Sequence, residues 1–166
     1  MQGIPLNERK RLGALLDDRP QTEVMAMIPQ FSQAETDNFV APPAQIPEAL
    51  GVLMFNMERG VNLPEIQEFL RDCPDIQPFD VILANELDDG CARSGNKNTA
   101  RELAQAFGLN YAWGLEFIEL VNDENAKGFH GNAVFSRWPI RRAGVIRLPE
   151  QYNWYFDRQK RIGGRL

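Results

Sequence analysis

The chain has 166 residues, 43% of them apolar and 25% charged, with a formal net charge of −5. This is globular composition and excludes the collagenous, low-complexity and disulfide-scaffold classes. No run approaches the roughly 18 apolar residues of a membrane helix, and charges interrupt MQGIPLNERKRLGALLDD where a signal peptide has its apolar stretch, so the chain reads as soluble and cytoplasmic.

Residues 1–50 hold six of the eleven prolines. A helix is predicted around Glu8–Leu16; the rest of the stretch has no sustained period and reads as an extended arm wrapped on the domain. From Gly51 to Leu166 the pattern is that of one layered domain. Val52–Phe55 is a short apolar run ending in polar Asn56. Asn62-Leu63-Pro64-Glu65 then has a capping residue with proline near the first helical position. Ile66, Phe69, Leu70 and Cys73 follow at i, i+3, i+4 and i+7, one face of a helix, which Pro74 and Pro78 end. Phe79–Ala84 is the second apolar run, closing in Asn85-Glu86. Thr99-Ala100-Arg101-Glu102 has the form of a capping box, and Ala100, Leu103, Ala104 and Phe107 give the second helix its buried stripe before Gly108. Tyr111, Trp113, Leu115 and Phe117 alternate as on a strand, with further strands expected at Asn132–Ser136 and Ala143–Leu148. The order predicts an α/β fold with a mixed β-sheet layered with helices.

A strand, a helix and a second strand within about 35 residues form a crossover unit whose strands are parallel neighbours, so their carboxyl ends emerge on one edge. Asn56 and Glu86 stand at those two ends, where open α/β sheets place ligands. Glu58 lies two residues beyond Asn56, on the same side of an extended chain. A carboxylate and an amide oxygen there suit magnesium, which takes one or two protein carboxylates and fills its shell with waters and phosphate oxygens. The alternative is that both residues only end strands and bond loop backbone.

Three segments then carry a resemblance: VLMFNMERG at Val52–Gly60, DVILANELDDG at Asp80–Gly90 and GFHGNAVFSRWPI at Gly128–Ile140, with a weaker fourth at Lys160–Arg165. In this order and spacing the chain resembles the endonuclease/exonuclease/phosphatase superfamily of metal-dependent phosphoesterases, specifically its amino-terminal half. The resemblance implies half of the four-layer α/β sandwich of the DNase I-like fold, with Glu86 binding Mg2+ or Mn2+ and Asn56 supporting metal or phosphate. Glu58 falls where apurinic-type members carry an aspartate near the metal; a solvated loop glutamate is the other reading. The implied substrate contains phosphate, with nucleic acid among the candidates. The family's later motifs, an Asp-x-Asn loop and a terminal Ser-Asp-His, do not occur here. The expectation is therefore a fragment of an enzyme, inactive alone, with open sheet edges prone to self-association; the alternative is a non-catalytic remnant or interaction module.

The remaining residues are read conservatively. His130, the only histidine, is assigned a structural hydrogen bond beside a glycine turn, against a substrate contact. The loop Cys91–Asn98 caps a helix, against a phosphate contact through Arg93 or Lys97. Cys73 and Cys91 suit a reducing compartment and show no nucleophile or zinc pattern. Trp113, Trp138 and Trp154 are assigned to packing, against base stacking. Residues 137–166 carry eight basic residues against Glu150 and Asp157, a balance of +6 that leaves −11 on the first 136. That end reads as a solvated edge, against one that steers a polyanion.

Overall fold

The computed structural model of the chain describes residues 1–149, 155 and 160–166. Trp154, Glu150, Asp157 and Arg158 lie outside the described residues. The two apolar runs become β2 (Val52–Arg59) and β3 (Val81–Asp89), paired in parallel with Val52 opposite Val81, and α3 (Leu63–Asp72) is the crossover between them. β1 (Ala34–Asp37), β4 (Asn110–Glu119), β5 (Phe129–Ser136) and β6 (Arg161–Gly163) complete one mixed sheet of order β1-β4-β5-β3-β2, with β6 also on β4. β4 and β5 are antiparallel, as are β5 and β3. The α/β class read from the sequence is the class observed.

The helices arise as their patterns require, with local differences. In α3, Pro64 sits in the first turn, where a missing N–H costs no intrahelical bond, and Leu63 and Leu70 face the core. Phe69 stays 46% exposed and stacks on Phe55 with ring centroids 5.9 Å apart. Cys73, expected on the buried stripe, is the half-buried cap residue beyond the helix. In α4 (Thr99–Phe107), Ala100, Leu103 and Ala104 are fully buried, and Gly108 ends the helix at φ 59°. The capping box is corrected. Asn98, not Thr99, is the N-cap and accepts from the Arg101 N–H at 2.8 Å. Thr99 is buried and donates its hydroxyl to the Asp88 carbonyl at 2.8 Å.

Residues 1–50 hold more structure than their prolines suggest. α1 (Leu6–Ala14) matches the predicted helix and is followed by a second, α2 (Gln21–Ala26), with β1 completing the set. Pro5 and Pro20 stand at helix N-caps, where proline is compatible with the start of a helix, and 38–51 carries no helix or strand. β1 pairs with the first part of β4, Ala34 opposite Gly114, so this stretch contributes an edge of the sheet.

The expected strand at Ala143–Leu148 is not formed. β1 covers β4 from Tyr111 to Gly114 and β6 covers it from Phe117 to Glu119, so the adjacent edge has no room for another strand. Between them the Leu115 carbonyl accepts from the Arg147 guanidinium, and the Glu116 carbonyl accepts from both Arg147 and the Gly164 N–H; Arg147 also donates to Phe31 O at 2.8 and 3.1 Å and to Gly164 O at 3.0 Å. At Leu115 a side chain thereby takes the place of strand backbone.

One face of the sheet is the core: Ile82, Ala84 and Leu87 on β3, Tyr111, Trp113 and Leu115 on β4, and Ala133 and Phe135 on β5 are all buried. Trp113 belongs to this core and donates its indole N–H to Leu87 O at 3.2 Å. On the opposite face Val52 is 55% and Met54 74% exposed, with Leu83 and Val134 also open to solvent. No helix among the described residues is long and apolar enough to cross a membrane.

Close approach of β4 and β5 depends on one small residue. A Cβ on Gly131 would lie 1.9 Å from the Gly114 carbonyl oxygen, which cannot move without breaking the pairing. Gly131→Ala is expected to lower stability by about 1–3 kcal/mol, read as a shift in urea midpoint; an unchanged midpoint would show that the strands do not approach this closely.

Candidate functional site

β2, β3 and β4 run the same way and β5 runs against them, so the ends of the first three and the start of β5 share one end of the sheet. Each of the three strands has a register shift there: between Asn56 and Arg59, between Ala84 and Leu87, and between Leu115 and Phe117. Glu58, Arg59 and Glu86 take left-handed backbone at φ 46°, 68° and 59°. A bulge adds one residue, breaks the two-residue alternation and re-aims the side chains beyond it. Both β2 and β3 therefore continue past the polar residues that were read as their ends.

Asn56 and Glu86 are brought together. The Asn56 amide donates from Nδ2 to Glu86 Oε1 at 3.1 Å, and its Oδ1 accepts from the Glu58 N–H at 2.8 Å. Asn132 on β5 holds the other side, its Oδ1 accepting from the Glu86 N–H at 3.2 Å. Glu58 enters this arrangement through its backbone, and its residue is exposed.

Glu86 lines a cavity of about 460 Å3 together with Asn132, Glu116 and His130, with Arg59, Arg161 and Arg165 on its walls. Burial pushes the Glu116 carboxyl above its ordinary value, and the charge of Glu86 adds to this against the pull of His130 and Arg165. Arg161 lies over the Phe117 ring at 4.0 Å, and Phe117 in turn stacks on the His130 ring at 4.4 Å. Burial lowers the Arg161 value, with Glu119 opposing it most strongly.

His130 is fixed from behind. Its Nδ1 lies 2.7 Å from Asp88 Oδ1, and its Nε2 lies 4.0 Å from Glu116 Oε2. Asp88 has no solvent exposure and also accepts two bonds from Arg93, at 2.7 and 2.9 Å, and one from the Ser94 hydroxyl at 3.3 Å. Burial pushes the Asp88 carboxyl up; the bonds from Arg93 and His130 outweigh it and hold the group below the ordinary carboxylate value. Arg93 also pairs with Glu119 at 2.7 Å, and Lys97 with Glu102 at 3.1 Å. The loop Cys91–Asn98 thus spends its cations on carboxylates of the chain. Cys91 is buried and its thiol is pushed far up by desolvation, as suits an inert residue.

Among the described residues no group of three or more His, Cys, Asp or Glu side chains is placed to hold a metal ion. A closed cage is therefore not what these residues offer. Glu86 braced by Asn56, with the repelling Glu116 nearby, fits a hard cation that completes its shell from water and phosphate oxygens. The sequence reading missed Glu116, Asn132 and the arginines, because their membership depends on bulges and on the pairing of β5 and β6. The HGN run at His130–Asn132, next to the glycine turn, was the available signal. Comparisons of the chain with protein-family models, with curated proteins and with solved structures find no match.

The Asp88 network makes a pH prediction. A carboxyl held low in the folded state stabilises above its unfolded value and loses that contribution as pH falls through the folded one. Wild-type stability is expected to drop below about pH 4. Asp88→Asn is expected to cost about 3–5 kcal/mol at pH 7, with the gap between the two proteins narrowing in acid. Urea unfolding across pH reads both; parallel curves would remove Asp88 as the source.

Proposed function

We propose that this chain carries the cation-binding part of the active site of a divalent-metal-dependent phosphoesterase. The observation that carries the reading is Glu86 braced by Asn56 at a bulged sheet end, opening on a cavity whose walls hold three arginines. Carboxylate and guanidinium in one cavity match the two needs of a phosphoester: a cation site and a site for the remaining phosphate charge. The three segments that resemble the endonuclease/exonuclease/phosphatase superfamily support the same reading, since Asn56, Glu86 and Asn132 each lie in one of them. Glu58, exposed beside Asn56, is the further candidate ligand.

Magnesium or manganese would be held by Glu86, with Glu116 close enough in charge to feel it, and would supply neutralisation of phosphate charge. Arg59, Arg161 and Arg165 neutralise the oxygens that the cation leaves. Asn56 and Asn132 fix the Glu86 side chain and backbone, so its carboxylate is oriented before substrate arrives. Asp88 holds His130 through Nδ1, which leaves Nε2 as the imidazole atom on the cavity side, placed to accept a proton. The substrate is a phosphoester or phosphodiester, nucleic acid included.

The test is hydrolysis of bis(p-nitrophenyl) phosphate with added magnesium or manganese, together with Mn2+ binding followed by electron paramagnetic resonance in the presence of phosphate. Glu86→Gln is expected to reduce both the rate and Mn2+ affinity by about 100-fold. Equal Mn2+ binding by the two proteins would overturn the proposal, whether or not the chain alone turns over substrate.

A second reading, an interaction module without catalysis, is favoured by the open sheet face, where Val52 is 55% and Met54 74% exposed. It expects concentration-dependent association in sedimentation, abolished by Met54→Lys with the circular dichroism unchanged. A wild-type monomer at high concentration counts against it.

A further inference from the structure

A second cavity, of about 320 Å3, lies between α2, the short 3-10 turn Pro29–Ser32 and the segment ending at Arg165. Its volume is within the range of small-molecule sites, about 300–1,000 Å3. Met25, Ile28 and Phe31 give it an apolar wall. The other wall holds two cations, Arg147 and Arg165. Leu148 and Arg165 also line the cavity that holds Glu86; the other lining residues have no part in that site.

Glu116 is the carboxylate whose charge reaches that wall, and it acts on both cations without an ion pair to Arg147. Arg147 makes its hydrogen bonds to the carbonyls of Phe31, Leu115, Glu116 and Gly164, which satisfy its N–H groups and leave its charge in place. Among the described residues it forms no salt bridge. Its guanidinium carbon lies 4.8 Å above the Phe31 ring, so the cation sits directly against the apolar wall. Desolvation lowers Arg147 to about 10, against the opposing charge of Glu116, so the group remains a cation at neutral pH. An apolar site bordered by a desolvated cation attracts an anion and penalises a second cation. Arg165 is exposed and can turn its donors to the mouth.

We propose that this cavity binds a single aliphatic chain ending in an oxyanion, the chain lying on Met25, Ile28 and Phe31 and the head at Arg165 within the field of Arg147. Both an alkyl carboxylate and an alkyl phosphate satisfy this chemistry. Each buried methylene adds about 0.8 kcal/mol, so affinity is set by chain length and selectivity by the head.

The experiment is isothermal titration of the 166-residue protein with decanoate, decyl phosphate, decanol and decylamine, all below their micelle concentrations. Decanoate or decyl phosphate is expected to bind at least ten-fold more tightly than decanol, with decylamine weakest; whichever acid binds more tightly identifies the head. Arg165→Ala is expected to remove most of that preference. Ala26→Trp, at an exposed position on the lining that tolerates a larger side chain, is expected to abolish binding with the circular dichroism unchanged. Glu86→Gln is expected to bind as wild type, which separates this site from the phosphoesterase reading. Binding of decanol as tight as decanoate, no binding of either acid, or unaltered binding by Ala26→Trp would each overturn the proposal.

Discussion

Asp88 brings a full negative charge to a place with no solvent, and three parts of the chain are arranged around it. Arg93 and Ser94 in the following loop, His130 on β5 and, through the Asp88 carbonyl, Thr99 at the start of α4 all bond to this one residue. A buried carboxylate without partners is intolerable in a low-dielectric interior, so satisfying it dictates how the loop turns and where the helix begins. The cost of burial is offset only when all donors are in place, which makes the network cooperative. It also has a direction: it lies behind His130, on the far side from the cavity that Glu86 lines. The core packing of Trp113 on Leu87 O and the bulge at Glu86 sit within two residues of the same point along β3.

Much of the framework was legible because it obeys simple periods. The apolar runs at Val52 and Phe79, the helix stripes of α3 and α4 and the alternation of β4 each report a buried face. The parallel pairing of β2 with β3 followed from chain length alone, and with it the proximity of Asn56 and Glu86. The misreadings have equally definite causes. Strand ends were placed at the first polar residue, whereas bulges carry β2 and β3 onward through left-handed residues of ordinary type. Proline density in 1–50 concealed α2 and β1, because Pro20 introduces a helix rather than interrupting one. Ala143–Leu148 has the composition of a strand but meets an edge that β1 and β6 have taken.

The candidate site was harder to read than the framework. Glu86 and Asn56 belong to one crossover unit, so local geometry unites them. Glu116, His130 and Arg161 come from β4, β5 and β6, and their meeting depends on long-range pairing that no window of sequence reports. His130 was assigned a structural hydrogen bond, and it makes one, to Asp88; the same bond orients its other nitrogen toward the cavity. A structural bond and a place on the cavity wall are therefore compatible for this residue.

The guanidinium of Arg147 sits where β1 and β6 fail to meet along β4, bonding the Leu115 carbonyl in place of main chain and sharing the Glu116 carbonyl with the Gly164 N–H. Such a splice differs from a continuous ribbon in kind. Amide hydrogens along a backbone are indifferent to residue identity, whereas this repair is encoded at a single codon and has no substitute of equal shape. Lysine, with three donors on a point charge, could not span the same four oxygens, so drift at this position would loosen the junction between the two pieces of the border.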